Sequence, residues 1–427
     1  MLAQQTGLYA EEASAIATEA PTVASAADGR PLNLGYADFL RRVLEKHGDT
    51  AYQRLEWGVA ATKVRNADAD FEPNLGLSSS YTSNERRLPT GEERSLFGVQ
   101  TPDLREVRTD TINANIALSK KIVTGTKLEL LTSLNRLTDP SQYITWQGRE
   151  YRSFSGLVIT QPLLKGFGTD ANLAGVRVAE ADRLMAYHNY RKKISDTLRD
   201  AANGYWELYL AQQRLDLRRD SLRIADRTVA DYRERVRLGK SSPIDLADSE
   251  VAQADRKSSL LEAEQDWASA TQRVRSFLML SSAGAEDRVT AADQLSIGKV
   301  DADVKASIAN ALHLRPDYQA QLTLVSKENL RIAYAKNQTY PQLDLKLTYG
   351  FNGLDNSPTN SFNHLFTQRM PQWSAGFEVN IPLSGGIRPK SELDAANLRK
   401  RQALELLKTA EVEVVNSIQG AWPRLVS

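Results

Sequence analysis

The side chains that could do chemistry in this sequence are few and scattered. GKSS at 239–242 resembles the end of a phosphate loop, but the glycine that should precede it by five positions is replaced by Glu234. The segment also joins two helical stretches instead of following a strand, so a cap between helices is expected and a nucleotide site is not. KGFG at 165–168 is read as a bend from strand to helix. The four histidines, His47, His188, His313 and His364, show no ligand spacing, and no metal site is expected. Acidic neighbours such as Asp245 and Asp248 read as a solvated helix face, not as an acid and base pair. Cysteine is absent, which removes disulfides, thiolate ligands and cysteine nucleophiles. Neither catalytic residues nor cofactors are expected, and the chain does not read as an enzyme.

If no side-chain cluster carries the function, the long elements must. The chain has 427 residues, 41% aliphatic and aromatic, with 54 basic against 53 acidic side chains, a balance that argues against nucleic acid as partner. No run approaches the roughly 18 apolar residues of a spanning helix, so membrane contact would have to be made by strands or an amphipathic surface. Residues 1–33 are rich in Ala, Thr, Ser and Glu and are expected to form a mobile extension. They hold no basic region followed by an apolar core, so a secretory signal has been removed or the true start lies upstream.

An internal repeat organises the rest. Aligning Pro73 with Pro341 pairs Leu75 with Leu343, Leu77 with Leu345 and Tyr81 with Tyr349. Downstream, TQPLLKGFG and NIPLSGG pair Pro162 with Pro382 and Gly166 with Gly386, and NGYWEL and QGAWPRL pair Trp206 with Trp422. The unit is helix, strands, long helix, expected over 34–299 and again, cut short, over 300–427. Because the second copy stops near Trp422, a truncated chain is expected, with Pro423 breaking the last helix.

The strands alternate with period two. Leu343, Leu345, Leu347, Tyr349 and Phe351 share one face, as do Trp373, Ala375, Phe377, Val379, Ile381 and Leu383. Their intervening neighbours are polar, charged or glycine, the pattern of barrel strands with lipid on one side and water on the other; a soluble sheet with one wet face would show it too. Two further alternating runs, around Ile112–Leu118 and Leu128–Leu130, could be extra barrel strands or a hairpin standing off the barrel. The stretches 88–107 and 353–371 read as long polar loops.

From Asp170 to Leu238 no proline intervenes, which predicts a helix of about 70 residues, about 100 Å long. Tyr187, Ile194, Ala201, Leu208, Leu215, Leu222, Val229 and Val236 recur every seventh position, and Leu210, Leu217 and Ile224 make a second seam about 200° away. Two seams imply a helix packed between two others, as in a wall of helices. The turn is specified by Gly239 as a left-handed cap, Ser242 as N-cap and Pro243 at the first helical position, before a return helix of about 40 residues. A helix is also expected over 35–70.

With its doubled plan, its proline-to-strand junctions, TQPLLKGFG, NIPLSGG, the YW pair at Tyr205 and Trp206, and YRERVRLGKSSPIDLADSEV at the turn, the chain resembles the TolC family of outer-membrane factors over residues 34–427. The resemblance implies a mainly α fold with a β part: long helical hairpins forming a helical barrel, plus transmembrane antiparallel β-barrel strands. It implies a homotrimer in the outer membrane of a Gram-negative bacterium, with the helices in the periplasm. The function implied is a passive exit duct for a tripartite efflux pump or a type I secretion system, working with a periplasmic adaptor (membrane fusion) protein and an inner-membrane transporter. Adaptor contact is then expected at Arg237, Leu238, Gly239, Lys240, Ser241 and Ser242. The competing readings are a soluble periplasmic coiled-coil scaffold and a non-conducting truncated homologue.

Overall fold

Both expected proline junctions end a helix and start a strand, because proline has no N–H to continue a helical ladder and restricts the residue before it. Strands begin at Asn74 and Gln342, just past Pro73 and Pro341. The structure, a computed structural model, describes residues 32–87, 106–138, 149–280, 289–293, 303–367, 369–383 and 385–426. Along the chain lie β1 (Leu32–Leu34), α1 (Tyr36–Lys46), α2 (Gly48–Asp68), β2 (Asn74–Arg87), β3 (Glu106–Lys121), β4 (Lys127–Thr138) and β5 (Arg149–Pro162). They are followed by α3 (Thr169–Asn172), α4 (Ala174–Arg237), α5 (Pro243–Phe277), β6 (Val289–Ala291), α6 (Val304–Leu314) and α7 (Pro316–Gln338). The series closes with β7 (Gln342–Asp355), α8 (Pro358–Phe366), β8 (Pro371–Asn380) and α9 (Ile387–Val426).

The chain divides into two compact units that do not coincide with the two sequence repeats. One comprises residues 1–62, 183–322 and 407–427, the other 63–182 and 323–406, so each draws on both repeats. In the first unit a helical core closes around Phe39, Val43, Ala201, Tyr205, Leu208, Val274 and Val289. β1 and β6 pair in parallel at its side, Leu32 beside Val289 and Leu34 beside Ala291. Leu32 and Asn33 are therefore strand residues at the end of the segment expected to be mobile; residues 1–31 lie outside the described part.

The second unit holds an antiparallel sheet of six strands in the order β2-β3-β4-β5-β7-β8. The two alternating runs left open by the sequence are thus β3 and β4, bonded into the middle of the sheet. Of the two stretches read as loops, 88–107 lies outside the described residues up to 105 and its last two residues already belong to β3, while 353–371 contains the end of β7, helix α8 and the start of β8. α8 forms there because Ser357 and Pro358 make a helix start, and Ser361 and Leu365 on one side of it are buried.

Other helix bounds differ from expectation. The helix expected over 35–70 is divided at His47, whose backbone is extended (φ −67°, ψ 120°). The long helix is divided at Leu173 into the short α3 and the 64-residue α4. Pro423 does not break α9, which runs to Val426. Proline removes one bond of the ladder, the one an N–H at 423 would give the Gln419 carbonyl, and the helix carries that loss.

Candidate functional site

The backbone register of the sheet sorts its side chains onto two faces. One continuous rung reads Leu75, Leu118, Leu130, Leu157, Tyr349, Trp373, each the direct neighbour of the next across all six strands. These six residues are 42% to 75% exposed, so none of the described elements covers them. The next rung is Leu77, Ile116, Thr132, Ser155, Phe351, Pro371, and on the other side Leu128, Ile159, Leu347 and Ala375 align. Beyond them Leu345 pairs with Phe377 and Leu343 with Val379. The sequence-predicted belt residues therefore share one face, except that Ile381 lies one position past the end of β8, exposed and outside the ladder. Leu75, Leu77, Ile116, Leu118, Leu130 and Leu157 complete the belt. Alternation in the first repeat could have shown them, but without a register it could not place them in one row.

The opposite face is largely polar. Ser78, Asn115 and Ser133 are neighbours there, and so are Ser80, Asn113, Asn135 and Arg152. Asn115 donates to Ser78 at 3.3 Å and Asn113 to Ser80 at 3.4 Å, while Lys346 and Glu378 form an ion pair. Gly156 and Gly350 face each other with the ring of Phe154 over them, and a Cβ on either would come within 3 Å of the ring and of the facing backbone. An aromatic side chain here covers a pair of strand glycines.

Helix α8 lies over the belt face beyond the second rung, where the side chains become small. Ser153 Oγ donates to the Ser361 carbonyl at 2.8 Å, and a Cβ on Gly353 would collide with that same oxygen. Phe362 borders a cavity with Leu77, Ile116, Thr132 and Leu134. The rest of the belt is left bare, and Phe366 at the end of α8 is 82% exposed. Gly353→Val is expected to unseat α8 and to speed proteolytic cleavage within it, leaving the strands paired; unchanged cleavage would show that the helix is not held at Gly353.

The turn between α4 and α5 is built as its sequence implies. Gly239 has φ +71°, and its N–H donates to the Val236 carbonyl at 3.0 Å. Ser242 and Asp245 form a capping box, in which the Ser242 hydroxyl accepts from the Ile244 N–H and Asp245 accepts from the Ser242 N–H at 3.0 Å. Those bonds, first the Ser242 N–H and then the Ser241 hydroxyl, hold the Asp245 carboxyl below its usual range. Glu234 is lowered likewise by its bond with Arg237. Arg233 reaches Glu250 at 2.7 Å, an exposed ion pair between the two helices behind the turn. Leu238 and Ile244 project from this capped tip, 52% and 71% exposed.

Of the two helix seams, one is filled within the chain: Ala201, Leu208, Leu215 and Val229 are buried. Tyr187, Ile194, Leu222 and Val236 on the same seam are half-buried. The other seam is not filled, with Leu210, Leu217 and Ile224 at 48%, 67% and 61% exposure. His188 is pushed below its usual range by burial and by Arg191, and His364 Nδ1 lies 3.1 Å from the Leu354 carbonyl. Among the described residues no group of three metal-ligating side chains assembles, and no helix is long and apolar enough to cross a membrane.

Comparison with known proteins agrees with this geometry. The family model for "Outer membrane efflux protein" matches residues 40–278 and 307–422. The chain is 23% identical over 270 residues to outer membrane efflux protein BepC of Brucella suis biovar 1 (strain 1330), a match covering 63% of this chain and 56% of that protein. It is 22% identical over 283 residues to cation efflux system protein CusC of Escherichia coli (strain K12), covering 63% and 60%. The matches therefore span 56% to 60% of the length of these relatives. Among solved structures, CusC superposes with a TM-score of 0.60 at 15% identity over 95% of this chain and 83% of that one. The Campylobacter jejuni CmeC outer membrane channel gives 0.59 at 12% identity, over 90% and 70%. A family match over most of the chain, joined to a fold held in common with solved channels, makes the chain a member of the outer membrane efflux protein family, which consists of channels and not enzymes.

Proposed function

We propose that the chain is one subunit of a homotrimeric duct in the outer membrane of a Gram-negative bacterium, serving as the passive exit of a tripartite efflux pump. The observation that carries this reading is the rung of six exposed apolar side chains from Leu75 to Trp373. An uncovered apolar band of that extent is costly in water and stable against acyl chains. The opposite face, with Asn, Ser, Lys346, Glu378 and Arg152, suits an unselective wet bore whose energy and selectivity come from partners. The free seam at Leu210, Leu217 and Ile224 supports helix packing against another copy.

The tip from Arg237 to Ser242 is the expected dock for a periplasmic adaptor, which links the duct to an inner-membrane transporter; the same end would serve a type I secretion transporter. Its support is physical: a capped, ion-paired turn keeps its shape, and Leu238 and Ile244 offer it apolar anchors.

Carbonate extraction of membranes from a Gram-negative host tests the reading. The chain is expected to stay with the outer-membrane fraction, and a lipid-soluble label should react at Leu130→Cys and not at Ser133→Cys. Release by carbonate would point to a periplasmic scaffold and overturn the duct.

A further inference from the structure

The sheet has two open edges. Among the described residues β2 pairs only with β3 and β8 only with β7. Neither edge is blunted: β2 carries charge only in its last three residues, and β8 has one charged side chain, Glu378. A soluble sheet commonly protects its edges with charge, bulges or proline. Within a bilayer an unpaired edge is not tolerated. Every neighbouring pair in the sheet is antiparallel, so with six strands β8 runs opposite to β2. The β8 of one copy can therefore continue the ladder on the β2 of the next without changing its pattern.

The sequence repeat specifies how that seam should be registered. With Pro73 matched to Pro341 and Pro162 to Pro382, β2 corresponds to β7 and β5 to β8. The matched glycines Gly166 and Gly386 both have left-handed backbones, φ +80° and +68°. Hence the seam between β5 and β7, inside one chain, is the counterpart of the seam between β8 and the next copy's β2. In the first, Leu157 lies beside Tyr349 and Ser155 beside Phe351. Carried over, Phe377 falls beside Tyr81 of the next copy and Ala375 beside its Ser83. All four are belt-face residues, whereas a one-residue slip would set the belt of one copy against the bore of the next.

A second geometric consequence agrees. The rung that starts at Leu75 ends at Trp373, which the carried-over register places beside Glu85 of the next copy, ten residues further along β2. Ten residues are about 33 Å of strand and six strands about 29 Å of width, which sets the strands about 49° from the barrel axis. Strands in membrane barrels tilt about 45°.

We infer that copies of this chain join β8 to β2 in this register, so that the barrel holds six strands per copy, eighteen in a trimer. The β3–β4 hairpin has no counterpart in the second repeat, so four strands per copy is what the repeat alone would supply. With that hairpin in the wall, the backbone-to-backbone diameter rises from about 28 Å for twelve strands to about 42 Å for eighteen. The seam rests on the duct reading given above.

The absence of cysteine makes disulfide trapping free of background. Ser83→Cys with Ala375→Cys, oxidised in the outer membrane, should shift the chain from a one-copy band to two- and three-copy bands on a non-reducing gel. Ser155→Cys with Phe351→Cys, the corresponding pair within one chain, reports that the sheet is folded. Tyr81→Cys with Ala375→Cys, slipped by two residues, should trap less. If the chain is carbonate-resistant and the within-chain pair closes, three outcomes refute the seam and leave the duct standing: no ladder, a stronger ladder from the slipped pair, or a disulfide inside single copies. A ladder that ends at a number other than three refutes the strand count. Release of the chain by carbonate refutes duct and seam together.

Discussion

Leu157→Arg is expected to abolish stable insertion of the chain in the outer membrane while leaving the isolated sheet intact. Leu157 sits in the central rung of the belt and is 42% exposed, so in water the larger polar side chain meets no obstacle and removes an exposed apolar one. Facing acyl chains, an arginine near the midplane of a barrel costs about 2–4 kcal/mol, enough to cut the assembled fraction by about tenfold or more. The sign of the effect therefore separates the two environments. Leu130→Arg, the direct cross-strand neighbour, should behave alike, and the two together should be worse because like charges then face each other. Ser80→Arg, on the wet face of β2, is the control and should assemble normally. The measurement is the heat-stable, carbonate-resistant fraction in purified outer membranes. Normal assembly of Leu157→Arg would show that this face does not meet lipid.

The parts of this molecule that could be read in the sequence are those set by short-range stereochemistry. Proline ended helices at Pro73 and Pro341, and period-two alternation identified the strands that follow. Gly239, Ser242 and Pro243 each occupy a cap position that only a few residue types fill well, and the turn they form was legible for that reason. What escaped depends on partners distant in the chain. β1 and β6 are three residues each, too short for any period to register, and they exist because Leu34 and Val289 are drawn into one core. α8 was hidden by its composition: Ser357, Pro358, Asn360 and Ser361 read as a turn, and the helix is fixed by its seat on Ser153 and Gly353. The place of β3 and β4 could not be read either, since alternation gives faces but not neighbours. The heptad along α4 showed that two sides want company, but not which side the chain fills for itself.

Removing the Tyr205 side chain should be the most destabilising single truncation in the helical unit. Tyr205 is 1% exposed, and its ring meets Tyr36, Phe39 and Trp206 at centroid distances of 5.5, 5.6 and 5.4 Å. Its hydroxyl lies 2.9 Å from the Leu34 carbonyl and 2.8 Å from the Asp293 carboxylate, which also accepts from the Tyr36 N–H. One side chain thus ties α4 to the strand pair and to the start of α1. Tyr205→Ala opens a cavity among those rings, at a cost of about 3–5 kcal/mol, although the Leu34 carbonyl keeps its bond from the Ala292 N–H at 3.1 Å; Tyr205→Phe keeps the ring and should cost about 1–2 kcal/mol. The two variants also differ from the parent in their response to pH. Burial, and then the bond to Asp293, push the Tyr205 hydroxyl up to about 12, so between about pH 10 and 12 the folded chain keeps a proton that the unfolded chain has lost. Stability from this group is complete below pH 10 and disappears as pH rises through that window. Asp293 is held below its usual range by the Tyr36 N–H and then the Tyr205 hydroxyl, so its contribution is lost as pH falls through and below 3.8. In Tyr205→Phe the alkaline decline from this residue should vanish and the acid decline should shrink but persist, because the Tyr36 N–H still donates to Asp293. Thermal unfolding followed by circular dichroism from pH 3 to pH 12 reads both limbs. Other groups, Tyr52 among them, also titrate in this window, so the decisive quantity is the difference between variant and parent: an alkaline limb as steep in Tyr205→Phe as in the parent would mean that the hydroxyl does not hold its proton against Asp293 in this core.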